Sequence, residues 1–144
     1  MTVYADSSVL IAFFHPDDEF ALPVTDWVRK NVTGFLWNPV LRAEVRHAIR
    51  GLKTRYARVA WNALRAAENS GRLTMGREKL QDLFQEADTL SEQKAAAIAA
   101  GTWDYFHVAA ALHTKADAFT TCDRLQAELA SDACVKNLKF FWKE

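Results

Sequence analysis

The stretch MTVYADSSVL, residues 1–10, runs four mostly apolar residues, Thr2 to Ala5, into a carboxylate, Asp6, then two hydroxyls, Ser7 and Ser8, before apolar residues resume at Val9. It reads as a short buried strand that ends on an acid and turns into a helix. An Asp at such a junction is ordinarily a helix N-cap, its oxygen taking up a free backbone N–H of the first turn. The pattern recurs in DAFTTCDRLQ, residues 117–126, where Ala118–Thr121 leads to Asp123 and then to a helical stretch. Two strands that each finish on an acid heading a helix suggest a parallel α/β sheet, in which sites collect at the carboxyl ends of strands.

The residues between them support this reading. The pattern predicts a helix over 8–14, another over 20–32 with Pro23 near its first turn, and a strand over 35–37. Asn38-Pro39 is an N-cap followed by proline at the first helical position, and a helix is expected from there to about Leu52. A further helix is expected over 54–69, a brief strand over 72–74, and two helices over 77–88 and 90–100, the second stopped by Gly101. An alanine-rich helix over 104–115, a strand over 118–121, a helix over 124–130 and a last strand over 138–141 complete the expectation. The whole is one α/β domain over residues 1–144, with a parallel sheet between helical layers.

Composition narrows the functional classes. Half of the 144 residues are hydrophobic and a quarter are charged, as in ordinary globular domains. No apolar run has the length of a membrane span, and no secretory signal is visible. Cys122 and Cys134 form no metal-spaced cluster, so free thiols in a reducing cytoplasm are expected. Five glycines stand singly, which disfavours a phosphate-cradling loop. The net charge of zero hides an uneven distribution: from Arg42 to Arg65 there are seven basic residues and one acid, Glu44. A solvated helix face is the bland explanation of such a run, and a phosphate-tracking surface the sharper one.

Two more acids join Asp6 and Asp123. Asp104 opens the helix WDYFHVAAAL, and Glu44 borders the apolar stripe of its helix, with Leu41 and Ala48 at i−3 and i+4. Acids gathered on one sheet edge would repel one another, and a divalent cation removes that problem. With oxygen ligands alone and no His/Cys set, the ion would be Mg²⁺ or Mn²⁺ and not zinc. His107 reads as a packed, hydrogen-bonded histidine, and Cys122 as packing. The five tryptophans read first as core, with Trp27 and Trp61 as alternatives for anchoring a partner.

The stretches VYADSSVL, LRAEV, WDYFHVAAAL and ADAFTTCDRLQAELA, in that order over nearly the whole chain, resemble the PIN domain and, more narrowly, the VapC toxins of bacterial toxin–antitoxin pairs. The resemblance implies a Rossmann-like parallel sheet flanked by helices on both faces, and a Mg²⁺- or Mn²⁺-dependent endoribonuclease that cleaves cellular RNA. By position it makes Asp6, Glu44, Asp104 and Asp123 the metal-binding and catalytic acids, with Ser7 and Thr121 as hydroxyls behind them. It also implies a cognate antitoxin protein, a homodimer or larger toxin–antitoxin assembly, a cytoplasmic location and no membrane attachment. Arg42, Arg46 and Arg50 recur every four residues beside Glu44 and are the expected RNA-backbone contacts. Many relatives carry an arginine shortly before the third acid, where this chain has Trp103. Two other readings share the fold: a non-catalytic RNA-binding or protein-interaction module, and an RNA-processing nuclease without an antitoxin.

Overall fold

A computed structural model describes residues 1–142. The strands are β1 (Thr2–Ala5), β2 (Gly34–Trp37), β3 (Leu73–Met75), β4 (Ala118–Thr121) and β5 (Leu138–Phe140). All pair in parallel, in the order β3-β2-β1-β4-β5. Parallel neighbours need crossovers, and the helices supply them. These are α1 (Ser7–Phe14), α2 (Ala21–Asn31), α3 (Pro39–Arg50), α4 (Ala57–Asn69), α5 (Leu80–Lys94), α6 (Thr102–Thr114) and α7 (Arg124–Asp132). The chain first builds outward from β1 to β3, then returns across β1 to build β4 and β5. With right-handed crossovers, this reversal places α1–α4 on one face and α5–α7 on the other. The packing agrees: α1 touches α2, α3 and α4, whereas α6 touches α5 and α7. The reversal also makes the boundary between β1 and β4 the switch point, where a crevice opens beyond the strand ends.

Strand burial shows why both faces must be covered. Val3, Tyr4 and Ala5 of β1 and all four residues of β4 are buried, so neither strand offers a polar face to water. The helices answer with apolar residues at helical spacing, such as Leu41, Val45 and Ile49 on α3. α6 is buried along seven consecutive residues, Tyr105–Ala111, and its alanines let it lie close to the sheet. No helix among the described residues is long and apolar enough to cross a membrane.

Two expectations fail on the return crossover. Residues 80–94 form one helix through Thr89, whose hydroxyl donates to the Gln85 carbonyl at 3.1 Å and so is satisfied without breaking the helix. The alanine-rich residues that follow are not a second helix. The Tyr105 hydroxyl donates to the Ile98 carbonyl at 2.8 Å and pins that segment onto α6. Gly101 therefore ends no helix; it is the N-cap of α6, and its N–H donates to Asp104 Oδ2 at 2.9 Å.

The start of α3 ties local capping to the centre of the molecule. Asn38 Oδ1 accepts the Leu41 N–H at 2.8 Å, and its Nδ2 donates to the Tyr4 hydroxyl at 2.9 Å. Asn38 is buried, so Asn38→Ala removes a cap and a second bond together. The expected loss is about 2 kcal/mol, the upper end for an N-cap, measured by urea unfolding; a loss no larger than a few tenths would show that the cap contributes little.

Candidate active site

Asp6 follows β1 directly and is the N-cap of α1. Its Oδ1 accepts the Val9 N–H at 3.1 Å and the Ser8 hydroxyl at 2.5 Å, and its Oδ2 accepts the Thr121 hydroxyl at 2.7 Å. The carboxyl is 3% exposed, and burial holds its pKa above the ordinary carboxylate range even though these three donors pull the other way. The serine that supports Asp6 is therefore Ser8, one residue beyond the expected Ser7. Ser8 is the second residue of α1, within reach of its own cap, and its oxygen also accepts the Cys122 N–H at 3.0 Å, stitching α1 to the end of β4.

Thr121 closes β4 and works in two directions. Its oxygen accepts the Asp123 N–H at 2.9 Å while its proton goes to Asp6. Asp123 in turn caps α7, its Oδ1 accepting the Gln126 N–H at 2.9 Å. Gln126 is buried, and its side-chain amide donates to Asp104 Oδ1 at 2.9 Å. An unbroken chain of hydrogen bonds thus runs from Asp6 through Thr121, Asp123 and Gln126 to Asp104. Sequence reasoning missed Gln126; its place, three residues after the N-cap Asp123, was the available signal.

Glu44 comes from the other side. It lies on α3, with Oε1 at 2.5 Å from Nε2 of His107 on α6. His107 is the packed histidine its sequence context suggested, 2% exposed, with Nδ1 at 2.7 Å from the Tyr4 hydroxyl. Both Glu44 and Asp6 bear electrostatically on Tyr4 and, together with burial, hold its phenol far above the ordinary value. The thiol of Cys122 is pushed up to about 12, mainly by burial and next by the charge of Asp6, so it stays protonated and is a poor nucleophile.

Asp6 and Asp123 follow β1 and β4 at the carboxyl edge of the sheet, at its switch point, and the bonds of Gln126 and His107 tie in Asp104 and Glu44. The donor set is carboxylate oxygen throughout, backed by two hydroxyls, which suits a hard cation such as Mg²⁺ or Mn²⁺. Both oxygens of Asp6 are on protein donors, whereas Asp123 has only Oδ1 so engaged among the described residues. Among the described residues no group of three or more Asp, Glu, His or Cys side chains is placed so that it could hold a metal ion as it stands. Asp104 has both oxygens on protein N–H groups, and Glu44 has one on His107. The fit is one of donor type alone.

The basic row is less free than its spacing suggests. Arg42 Nε and Arg46 Nη2 both donate to Glu68 of α4, at 3.3 and 3.1 Å. The side chain of Arg46 is only 14% exposed, and its guanidinium and that of Arg50 sit over the Trp61 ring, 5.3 and 4.8 Å from its centroid. All three arginines thus hold α4 against α3, Arg42 and Arg46 through Glu68 and Arg46 and Arg50 through Trp61.

Solved structures share the fold, three of them as follows. VapC20 of Mycobacterium tuberculosis, a toxin that cleaves the sarcin–ricin loop, superposes with a TM-score of 0.63 at 12% identity, covering 81% of this chain and 86% of its own. FitAcB of Neisseria gonorrhoeae gives 0.62 at 13% identity, over 94% of this chain and 95% of its own. VapBC2 of Rickettsia felis, bound to a DNA fragment from its promoter, gives 0.62 at 15% identity, over 97% of this chain and 98% of its own. The fold is the PIN fold. At such identities the likeness is one of architecture. No curated protein matches the sequence. A family model described as the archaeal LonB AAA+ ATPase LID domain matches residues 53–117. That span takes in only the edge strand β3 of the PIN sheet and only Asp104 of the four acids.

Proposed function

We propose that this PIN-fold protein is a Mg²⁺- or Mn²⁺-dependent endoribonuclease and the toxin of a toxin–antitoxin pair, acting on cellular RNA. The observation that carries the reading is the hydrogen-bonded line Asp6–Thr121–Asp123–Gln126–Asp104 at the β1/β4 switch point, with Glu44 brought to the same edge by His107. The similarity to VapC20, FitAcB and VapBC2 supports a toxin and, through the antitoxin complexes among them, an antitoxin partner. A homodimer is part of the same proposal.

Asp6, Asp104, Asp123 and Glu44 would hold the metal, directly or through water. When bound, it would supply Lewis acidity at the phosphoryl oxygen and a water of lowered pKa. The rest is the work of side chains. Thr121 and Ser8 keep the Asp6 oxygens aimed, and Gln126 does the same for Asp104. Glu44 keeps Oε2 without a hydrogen bond among the described residues, on a side chain 30% exposed, so it can orient a water and take its proton. The exposed end of the basic row, with Arg42 and Arg50, would hold the RNA backbone.

The test is cleavage of structured RNA by the purified protein in Mg²⁺ or Mn²⁺, in EDTA, and in EDTA with excess metal restored. Cleavage is expected with metal, abolished by the chelator and recovered on restoration. Cleavage that persists in EDTA would overturn the metal mechanism. No cleavage under any condition, with RNA still bound, would favour a non-catalytic module on the same fold.

A further inference from the structure

The bonds around His107 fix more than its position. The Leu41 N–H donates to Asn38 Oδ1, which identifies the other atom of that amide as the nitrogen. Asn38 Nδ2 then donates to the Tyr4 hydroxyl, at 2.9 Å. The phenol oxygen has accepted one bond and has one proton to place, and His107 Nδ1 lies 2.7 Å away. Burial keeps that phenol protonated. Nδ1 of His107 is therefore an acceptor, the ring proton sits on Nε2, and Nε2 faces Glu44 Oε1 at 2.5 Å. An imidazolium would point a second proton at the phenol oxygen and strand the phenol's own proton inside the core. Every group in this line except Glu44 is buried.

We propose that Asn38, Tyr4 and His107 form a one-way hydrogen-bond relay, with His107 as a positioning residue: its Nε2–H holds Glu44 Oε1 and leaves Oε2 open to a ligand. The proposal rests on the metal-dependent reading above. The relay begins at the N-cap of α3, the helix that carries Glu44, and crosses to α6, the helix that carries Asp104. It therefore sets two of the four acids relative to one another through β1. A carboxylate left to rotate would present either oxygen or both; with one oxygen anchored it presents one.

The relay makes a prediction that does not need catalysis. Ring-nitrogen NMR of ¹⁵N-histidine-labelled wild-type protein should show His107 with Nε2 protonated and Nδ1 bare. The opposite tautomer, or a ring protonated on both nitrogens, would overturn the proposal. The second measurement is Mn²⁺ binding followed by electron paramagnetic resonance, without RNA. His107→Gln keeps an N–H near the position of Nε2, and binding should stay within about threefold of wild type. His107→Asn, whose amide ends near the position of Nδ1, should weaken it about 10–100-fold, the usual effect of losing an outer partner of a metal ligand. Tyr4→Phe removes the acceptor of Asn38 and the donor to Nδ1, and should weaken binding while letting the Nδ1–H tautomer appear in the NMR spectrum. Circular dichroism and urea unfolding show which variants fold; if His107→Asn does not, the comparison of Tyr4→Phe with His107→Gln decides. Equal Mn²⁺ affinity in wild type and all folded variants would overturn the positioning role and leave the nuclease reading standing. If wild-type protein binds no Mn²⁺, the metal reading falls and takes the role of His107 with it, even if the tautomer is as stated.

Discussion

Asp6→Asn is expected to reduce RNA cleavage more than about 100-fold, beyond the range typical of residues that only support a metal ligand, and to leave the metal-free protein at least as stable as wild type. The two effects have one cause. Asp6 is buried with its charge incompletely compensated, so its folded-state pKa lies above the ordinary 3.8. Between that ordinary value and the raised one, the folded state binds more protons than the unfolded state. Stability of the metal-free protein must then fall as pH rises through that window and stay lowered above it. Asparagine carries no charge and removes this slope. It can still cap α1 by accepting from Val9, and its amide can donate to the second lone pair of Thr121, a bond that replaces the one Thr121 now donates to Asp6 and leaves the hydroxyl proton to turn elsewhere. Divalent metal reverses the order. An ion that binds only the folded state raises wild-type stability by about 2.7 kcal/mol at a hundredfold excess over Kd and should do little for the variant. Urea unfolding across pH, with EDTA and with Mg²⁺, checks both halves. A variant that cleaves RNA at the wild-type rate would remove Asp6 from the mechanism.

Why the sequence revealed Asp6 and only some of the contacts around it follows from the range of the interactions. A strand ending on Asp and a helix starting there are local facts, and so are the Asn38-Pro39 start of α3 and the acid after β4; the structure has all three. The order of the strands was not local. It follows from the reversal of direction between β3 and β4, which no spacing encodes. The same limit applies to side chains. Thr121 meets Asp6 across 115 residues and His107 meets Glu44 across 63; the family resemblance put Thr121 behind the acids, but nothing in the sequence paired His107 with Glu44. Ser7 and Ser8 are chemically alike, and the choice between them depends on which hydroxyl lies under the cap and against β4. The return crossover was misread because helix propensity alone favours alanine-rich residues 95–100, whereas the hydrogen bond from Tyr105 to Ile98 holds them against α6.

Glu68→Gln is expected to destabilise the protein and tighten its grip on RNA. Glu68 is 14% exposed and receives three guanidinium groups: Arg42 at 3.3 Å, Arg46 at 3.1 Å and Arg65 at 3.7 Å. Removing its charge leaves Arg46, itself 14% exposed, without its counter-ion over the Trp61 ring. Stranding one member of a fully buried pair costs about 3–5 kcal/mol. Arg42 and Arg65 are near half exposed and reach water, so about 2 kcal/mol is the expected loss, and salt should lessen it by screening the arginines from one another. The freed charge has a second consequence. In wild type Glu68 offsets part of the row that faces a phosphate backbone; in the variant Arg42 is released to it. Measured on the catalytically silent Asp6→Asn background, RNA affinity at low salt should rise. The slope of log affinity against log salt should steepen by close to one unit for each additional phosphate that an arginine neutralises. Adding Arg42→Gln should return the slope to its starting value. If the slope is the same in the presence and absence of Glu68, the row is a device for packing α4 on α3. The RNA surface would then have to be sought further along the basic segment, at Lys53, Arg55 and Arg58.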